Sequence, residues 1–357
     1  MKKLSDLILS LILSLSSLGL VACSSSTPKH TDHTFADWTC TTTHHYKVCT
    51  IDGCEEKQFN GAHAFTNGVC VVCDFVEVFE TEATPDNFTS VISKAKDGLE
   101  ITLAPGRYSV SVEIAGKKNL TLTGTQGVIF EDHIRIASNC ENLTIQNITF
   151  NMPLPQNYSS ESISGGIRFL DGVNGLTIRN CEFTNFSQIM AQNPSSFSSS
   201  VKDLVIDGCN FIDIANTINT LTAIYMGCVI ENVTVNNCSF IGVEYNALQL
   251  SGTVKGNVTF TNSTYRYIGN RYFNINNAAN VNWNISGNKF YSASTSATGK
   301  YFKGSTAYGT TFVIGVNYWE QIPDLDTYYF ALYNPTIEDY ETDGITYNYE
   351  EQLGING

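Results

Sequence analysis

The sequence predicts an all-β fold in which short strands stack into a parallel solenoid, and three observations carry the prediction. A nine-residue phrase recurs: NLTIQNITF at 142–150, GLTIRNCEF at 175–183, DLVIDGCNF at 203–211 and NVTVNNCSF at 232–240. Within each phrase apolar and polar residues alternate, which is the two-residue period of a strand buried on one face. Charged residues make up only 15% of the 357 positions, against roughly 25% in an ordinary globular chain. The solvated surface is therefore built largely from Asn, Ser and Thr.

The leucine position of the phrase gives a register mark. It falls at Leu120, Leu143, Leu176, Leu204, Val233, Val258 and Trp283, with spacings of 23, 33, 28, 29, 25 and 25 residues. A shorter phrase precedes most of these marks: HIRI at 133–136, GIRF at 166–169, AIYM at 223–226, ALQL at 247–250 and YFNI at 272–275. Self-similarity at such a period indicates a solenoid. The period is too short for helix pairs, and runs rich in Val, Ile, Thr and Phe favour strands. One phrase cannot bury its own apolar face, but a pile of them spaced about 4.8 Å apart can. Leu176, Ile178 and Phe183 then face inward, and Thr177 and Arg179 outward. Asn147, Asn180, Gly208, Asn237 and Asn262 form a column suited to left-handed backbone at a bend. Beside it Cys181, Cys209 and Cys238, with Ile148 above and Ser263 below, read as small buried side chains.

These rungs resemble the right-handed parallel β-helix proteins of the pectate-lyase-like fold over roughly residues 78–300. The segment TPDNFTSVISKAKDG at 84–98 reads as an amphipathic helix capping the first coil, with Thr84 as N-cap, Pro85 at N1, and Phe88, Val91, Ile92 and Ala95 on one face. LEITLAPGRYSVS at 99–111 resembles the family's first coil. Residues 301–357 read as irregular last rungs and a C-terminal cap.

Ahead of the solenoid lie two further segments. MKK, an apolar stretch and LVAC form a signal peptide over residues 1–22. Their ending resembles the lipobox of bacterial lipoproteins, which implies a lipidated Cys23, a tether at 23–32 and an extracytoplasmic, membrane-anchored protein. Residues 33–76 hold His33, His44, His45, His63 and five cysteines, too polar a set for a hydrophobic core. So short a segment needs disulfides or a metal. For a structural zinc in a zinc-ribbon-like module, the expected ligands are Cys49, Cys54, Cys70 and Cys73, with His45 or His63 as substitutes. Disulfides remain the alternative in an oxidising compartment. The spacing H-x-F-x2-W…C-x4-C…H-x-F…C-x2-C resembles Cys/His-rich modules of Gram-positive surface proteins, which implies a structural zinc or a spacer.

The formal charge of -14 excludes a phosphate-binding basic stripe, and with it nucleic acid as a partner. Two long insertions, after Phe150 and after Phe183, are expected to leave from one corner and to wall a groove suited to an extended polysaccharide or another cell-wall or host ligand. Tyr265, Arg266, Tyr267, Arg271 and Tyr272 form the densest Arg/aromatic cluster, and aromatic faces stack on sugar rings. They are the expected ligand-binding residues. Asp171 and Asp207, with Arg168 or Arg179 as base, are candidates for a lyase, which would also need calcium, or for a glycosidase. The N-T-D, H-G and R-x-K motifs of β-helix polygalacturonases are missing, as are the W-x-D-H and R-x-P-x-x-R motifs of pectate lyases. Three readings stay open: a non-catalytic surface binder, an enzyme with atypical residues, and a structural spacer.

Overall fold

The computed structural model describes residues 32–66, 68–153, 165–170, 172–191, 200–214 and 221–291, with short segments between 302 and 347. Cys23, the apolar leader and Asp171 lie outside the described residues. The chain divides into two units, Met1–Val78 and Phe79–Gly357, each taken by itself below.

In the larger unit the recurring phrases stack as parallel strands. Leu143 lies opposite Leu176, Leu176 opposite Leu204, Leu204 opposite Val233, Val233 opposite Val258 and Val258 opposite Trp283. The register marks of the sequence are therefore one vertical column, and the unit is a parallel β-solenoid. Three strand columns run along it. The first holds Cys140–Gln146, Val173–Arg179, Ser200–Asp207 and Val229–Asn236; the second Thr149–Met152, Glu182–Asn185, Asn210–Ile214 and Ser239–Ile241; the third Ile134–Ile136, Ile167–Phe169, Ile189–Ala191 and Ile224–Met226. Farther along, the third and first columns merge into the long strands Asn246–Thr261 and Arg271–Ser286.

The second column supplies the spine of the core. Tyr108, Phe130, Phe150, Phe183, Phe211, Phe240, Tyr265 and Phe290 stack ring on ring, with centroids 4.7–5.5 Å apart. The coil spacing of a parallel sheet suits stacked rings, so the phenylalanine that ends each phrase both fills the interior and fixes its coil over the next. At the N-terminal end Phe88 packs edge-on against Tyr108 and Phe130, covering a ladder that would otherwise end in water. Burial pushes the Tyr108 hydroxyl up to about 12, and that hydroxyl donates to the carbonyls of Ala83 and Ala104.

Corners are made by left-handed residues in two columns. Asn147, Asn180, Gly208, Asn237, Asn262 and Gly287 have φ between +51° and +68°. At each of the first five, the backbone N–H donates to the carbonyl of the next coil, at Arg179, Asp207, Asn236, Thr261 and Ser286 respectively. The backbone makes the ladder at this bend, and the Asn262 amide adds a bond to Asn236 Oδ1 of the neighbouring coil at 3.0 Å. A second left-handed column, unforeseen from the sequence, opens the phrase at Asn119, Asn142, Gly175, Asp203 and Asn232. Side chains do bond along the axis here, from Asn142 to Asn119 at 3.1 Å and from Asn232 to Asp203 at 2.7 Å. Inside the first bend, Ile148, Cys181, Cys209, Cys238 and Ser263 are buried. The column then continues as Asn288 and Asn317, whose amides donate to the carbonyls of Phe260 and Ile285.

Two expectations change. The helix runs Phe88–Lys94, capped by Asn87 instead of Thr84. The Asn87 side chain turns back to accept from the Thr84 N–H at 2.6 Å and from its hydroxyl at 3.1 Å, so residues 85–87 form a turn ahead of the helix. The insertion after Phe183 contains a strand, Ile189–Ala191, in register between Ile167–Phe169 and Ile224–Met226. Its undescribed part, 192–199, follows the third column, whereas 154–164 follows the second, so the two insertions leave from different corners. Beyond Phe290 the pairing goes on: Phe273 lies opposite Phe302, and Phe290 opposite Trp319.

The smaller unit is an antiparallel sheet of Phe35–Cys40, His44–Cys49 and Lys57–Ala62, followed by the hairpin Phe65–Thr66 and Val69–Cys70.

Removing one ring from the spine should cost far more than its own burial, because it leaves a void between two coils. Phe211→Ala is expected to lower the unfolding free energy by about 3–5 kcal/mol in denaturant titration. Gly252→Ala should also destabilise, since an added Cβ would lie 1.8 Å from the Cys228 carbonyl oxygen, whereas the exposed Val110→Ala should change stability by less than about 0.5 kcal/mol.

Candidate metal centre and ligand-binding surface

The five described cysteines of the smaller unit are free thiols in the structure, and four of them divide between two Cys/His clusters. His45, His63, Cys70 and Cys73 bring one ligand atom each to within 4.8 Å of one another; His33, Cys49 and Cys54 do the same. This corrects the expectation of one site holding all four of Cys49, Cys54, Cys70 and Cys73. His45 and Cys49 occupy opposite ends of one strand, opposite Cys40 and Phe35 respectively. Four residues at a rise of about 3.3 Å put these ends about 13 Å apart, too far for a common ion. His33, absent from the expected ligand set, joins Cys49 because Phe35 pairs with Cys49.

The geometry of the first cluster fits a tetrahedral ion. With sulfur at about 2.3 Å and nitrogen at about 2.05 Å from a metal, tetrahedral S···N edges are about 3.5 Å and the N···N edge about 3.3 Å. The observed edges are 3.5 Å for Cys73 Sγ to His63 Nδ1, 3.8 Å for Cys70 Sγ to His45 Nδ1, and 3.4 Å between the two Nδ1 atoms. His63 Nε2 lies 2.8 Å from the Thr41 carbonyl. A carbonyl only accepts, so Nε2 carries the proton and Nδ1 presents its lone pair to the cluster, the orientation that a carbonyl behind the ring imposes on a ligating histidine. Locally, the Cys70–Asp74 turn, closed by the Asp74 N–H on the Cys70 carbonyl at 3.1 Å, folds Cys73 back toward Cys70.

On the solenoid the candidate residues disperse. Tyr265 is 0% exposed and lies within the aromatic spine, and Tyr272 is buried with its hydroxyl on the Tyr291 carbonyl. Neither ring is free to stack on a sugar, so the five-residue cluster does not form one surface. The period explains this: Tyr265 occupies the phenylalanine position of its phrase, opposite Phe240. Tyr267 is 63% exposed, and Arg266 lies over the Tyr291 ring at 4.2 Å. Arg271 lies opposite Asn246, with its Nε buried and unpartnered.

The proposed acid–base groups fall on two separate columns. Arg179 lies opposite Asp207, and Asp207 opposite Asn236, whose amide donates to the carboxylate at 2.8 Å. Arg168 is on the third column, between Arg135 and Met190. Its Nε is buried without a partner, and burial together with Arg135 disfavours its charge. Arg135 reaches Glu113 at 3.3 Å. His133 adjoins Asp132 at 2.8 Å, yet burial holds its imidazole below the ordinary range, with Arg168 and Arg135 adding to the effect.

The sequence did not point to the cleft that the structure contains. A cavity of about 620 Å³ opens at the corner between the third and first columns, lined among others by Ser138, Glu141, Gly172, Asn174, Ser200 and Lys202. Glu141, Asn174, Lys202, Glu231 and Lys255 lie successively opposite one another along the first column. Lys118 bonds Glu141 at 2.9 Å and Lys202 bonds Glu231 at 3.1 Å. Asn174 is the neutral break between these pairs, on the coil at the middle of the cavity.

The two tyrosines at 265 and 267 should separate core from surface. Tyr265 has a fully buried hydroxyl without a hydrogen bond of good geometry. Tyr265→Phe is therefore expected to raise the melting free energy by up to about 1 kcal/mol, and Tyr267→Ala to leave it within about 0.5 kcal/mol, both read in chemical denaturation. Comparison of the chain with family models, with curated proteins and with solved structures gave no match.

Proposed function

We propose that the chain is a lipid-anchored protein of the extracytoplasmic cell surface whose solenoid binds an extended polysaccharide. A zinc ion at His45, His63, Cys70 and Cys73 stabilises the small module ahead of it. The observation that carries the binding reading is the cleft at Glu141, Asn174 and Lys202. It runs across successive coils of a rigid sheet and is lined by amide, hydroxyl, carboxylate and ammonium groups, the donors and acceptors that sugar hydroxyls match. A repeating scaffold offers a repeating ligand one contact position per coil, at the coil spacing, here Glu141, Asn174 and Lys202 in turn. Arg168 lies opposite Arg135 on the next coil, and two guanidiniums on adjacent coils favour a ligand carrying some acidic groups. Binding is favoured over two-carboxylate chemistry because, among the described residues, Arg179 and not a second acid lies opposite Asp207.

The anchor reading rests on LVAC and the apolar stretch before it. No helix among the described residues is long and apolar enough to cross a membrane, and a lipid on Cys23 supplies attachment without one. Zinc is favoured for the module because two thiolates and two imidazoles are its preferred tetrahedral set. It supplies no chemistry here beyond cross-linking the hairpin to the sheet.

Full-length protein screened on a polysaccharide panel should retain at least one extended glycan. Asn174→Ala and Lys202→Ala, both at solvent-accessible positions, are expected to weaken that retention about tenfold, the equivalent of about 1.4 kcal/mol, without shifting the thermal melt. Retention unchanged in both variants, or release of reducing ends or unsaturated sugars by the wild type, would overturn the reading.

A further inference from the structure

The second Cys/His cluster is independent of the glycan reading and has the geometry of a metal site in its own right. His33 Nδ1 lies 3.5 Å from Cys49 Sγ and 3.4 Å from Cys54 Sγ, and the three atoms lie within 4.8 Å of one another. Both nitrogen–sulfur edges match the tetrahedral S···N edge of about 3.5 Å. Hydrogen bonding alone does not account for this placement. A neutral imidazole nitrogen has either one in-plane hydrogen or one in-plane lone pair, so it serves one thiol well and not two at equal distance. A cation among the three satisfies all of them at once.

The local fold is organised around the same three atoms. Cys49 ends its strand opposite Phe35, which places the preceding His33 at that end of the sheet. The chain then turns through Ile51–Cys54, closed by the Cys54 N–H on the Ile51 carbonyl at 3.0 Å, with Gly53 left-handed at φ +74°. That turn returns Cys54 beside Cys49. The other cluster repeats the device, a tight turn bringing back a second cysteine next to a histidine from a neighbouring segment.

From these observations we infer that the module holds two ions of the zinc class, the second bound by His33, Cys49 and Cys54 with a fourth donor from outside this set. The ligands of the two sites alternate along the chain, in the order His33, His45, Cys49, Cys54, His63, Cys70, Cys73. The strand His44–Cys49 carries one ligand of each. Two ions pin its two ends, in a unit that exposes Phe59, Val69, Val71 and Val72 and whose apolar interior is correspondingly small.

The test is metal analysis of the purified full-length chain under reducing conditions, with zinc and then with cobalt(II) as a spectroscopic probe. Two equivalents per chain are expected, with X-ray absorption giving an average of two sulfur ligands per ion. Cys54→Ser and His33→Ala should each remove one equivalent and about half of the thiolate-to-cobalt absorption. Cys73→Ser should remove the other equivalent; retention of that equivalent would count against the first site alone and leave the second untouched. One equivalent in the wild type, four sulfurs per ion, or two equivalents retained in both Cys54→Ser and His33→Ala would overturn the second site. If a variant loses both ions through misfolding, the wild-type stoichiometry and sulfur count still decide.

Discussion

Vertical register of the coils is the constraint on which the solenoid depends. No single phrase of nine residues can bury Leu, Ile and Phe on its own, so each coil is stable only because the next has the same residues at the same height. The aromatic spine from Tyr108 to Phe290 is the strictest form of this dependence. A one-residue slip would send each ring to the solvent face and replace it with a polar neighbour. Left-handed corners reinforce the register from outside the core. Asn, Asp or Gly takes the positive φ at modest cost, and the freed backbone N–H is satisfied by the coil beyond.

The surface chemistry follows from that geometry. Because like positions stack, outward residues form columns, and a column can be graded along its length: Glu141, Asn174, Lys202 and Glu231 change from acid to amide to base to acid over successive coils. A cleft at one corner therefore carries different groups at successive coils along the axis. In the smaller unit, stability is assigned to metal coordination because a short antiparallel sheet with exposed apolar side chains offers little burial. On the proposed reading the two units solve the same problem differently, one by repetition and the other by ligation.

Much of the solenoid was legible because its signal is repeated. Leu143, Leu176, Leu204, Val233, Val258 and Trp283 were recognisable as one column from spacing alone, and each lies opposite the next. The strand Ile189–Ala191 was missed because QIMA keeps the inward isoleucine but puts methionine where its neighbours have arginine or tyrosine, and because polar stretches flank it. The second left-handed column is written in the phrase-opening Asn142, Gly175, Asp203 and Asn232, residue types that also open ordinary strands and so mark a bend only once the coil is known. The ligand cluster around Tyr265 failed for a physical reason. An aromatic at the phrase-ending position belongs to the spine whatever its hydroxyl suggests, and the same period that located the strand would have shown this. The candidate metal ligands were legible by type, but their division depends on the four residues of strand that separate His45 from Cys49. The cleft depends on a corner whose width no local pattern encodes.

The most direct measurement is a set of distances between paired spin labels on the outward first-column positions Thr144, Thr234, Thr259 and Asn284. Successive pairing carries the register from Thr144 through Thr177 and Val205 to Thr234, Thr259 and Asn284. The separation from Thr144 should therefore grow by a constant increment of about 4.8 Å per coil, to about 14, 19 and 24 Å. Separations that do not increase in that order, or that differ between adjacent coils by much more than one strand spacing, would contradict a stack in register.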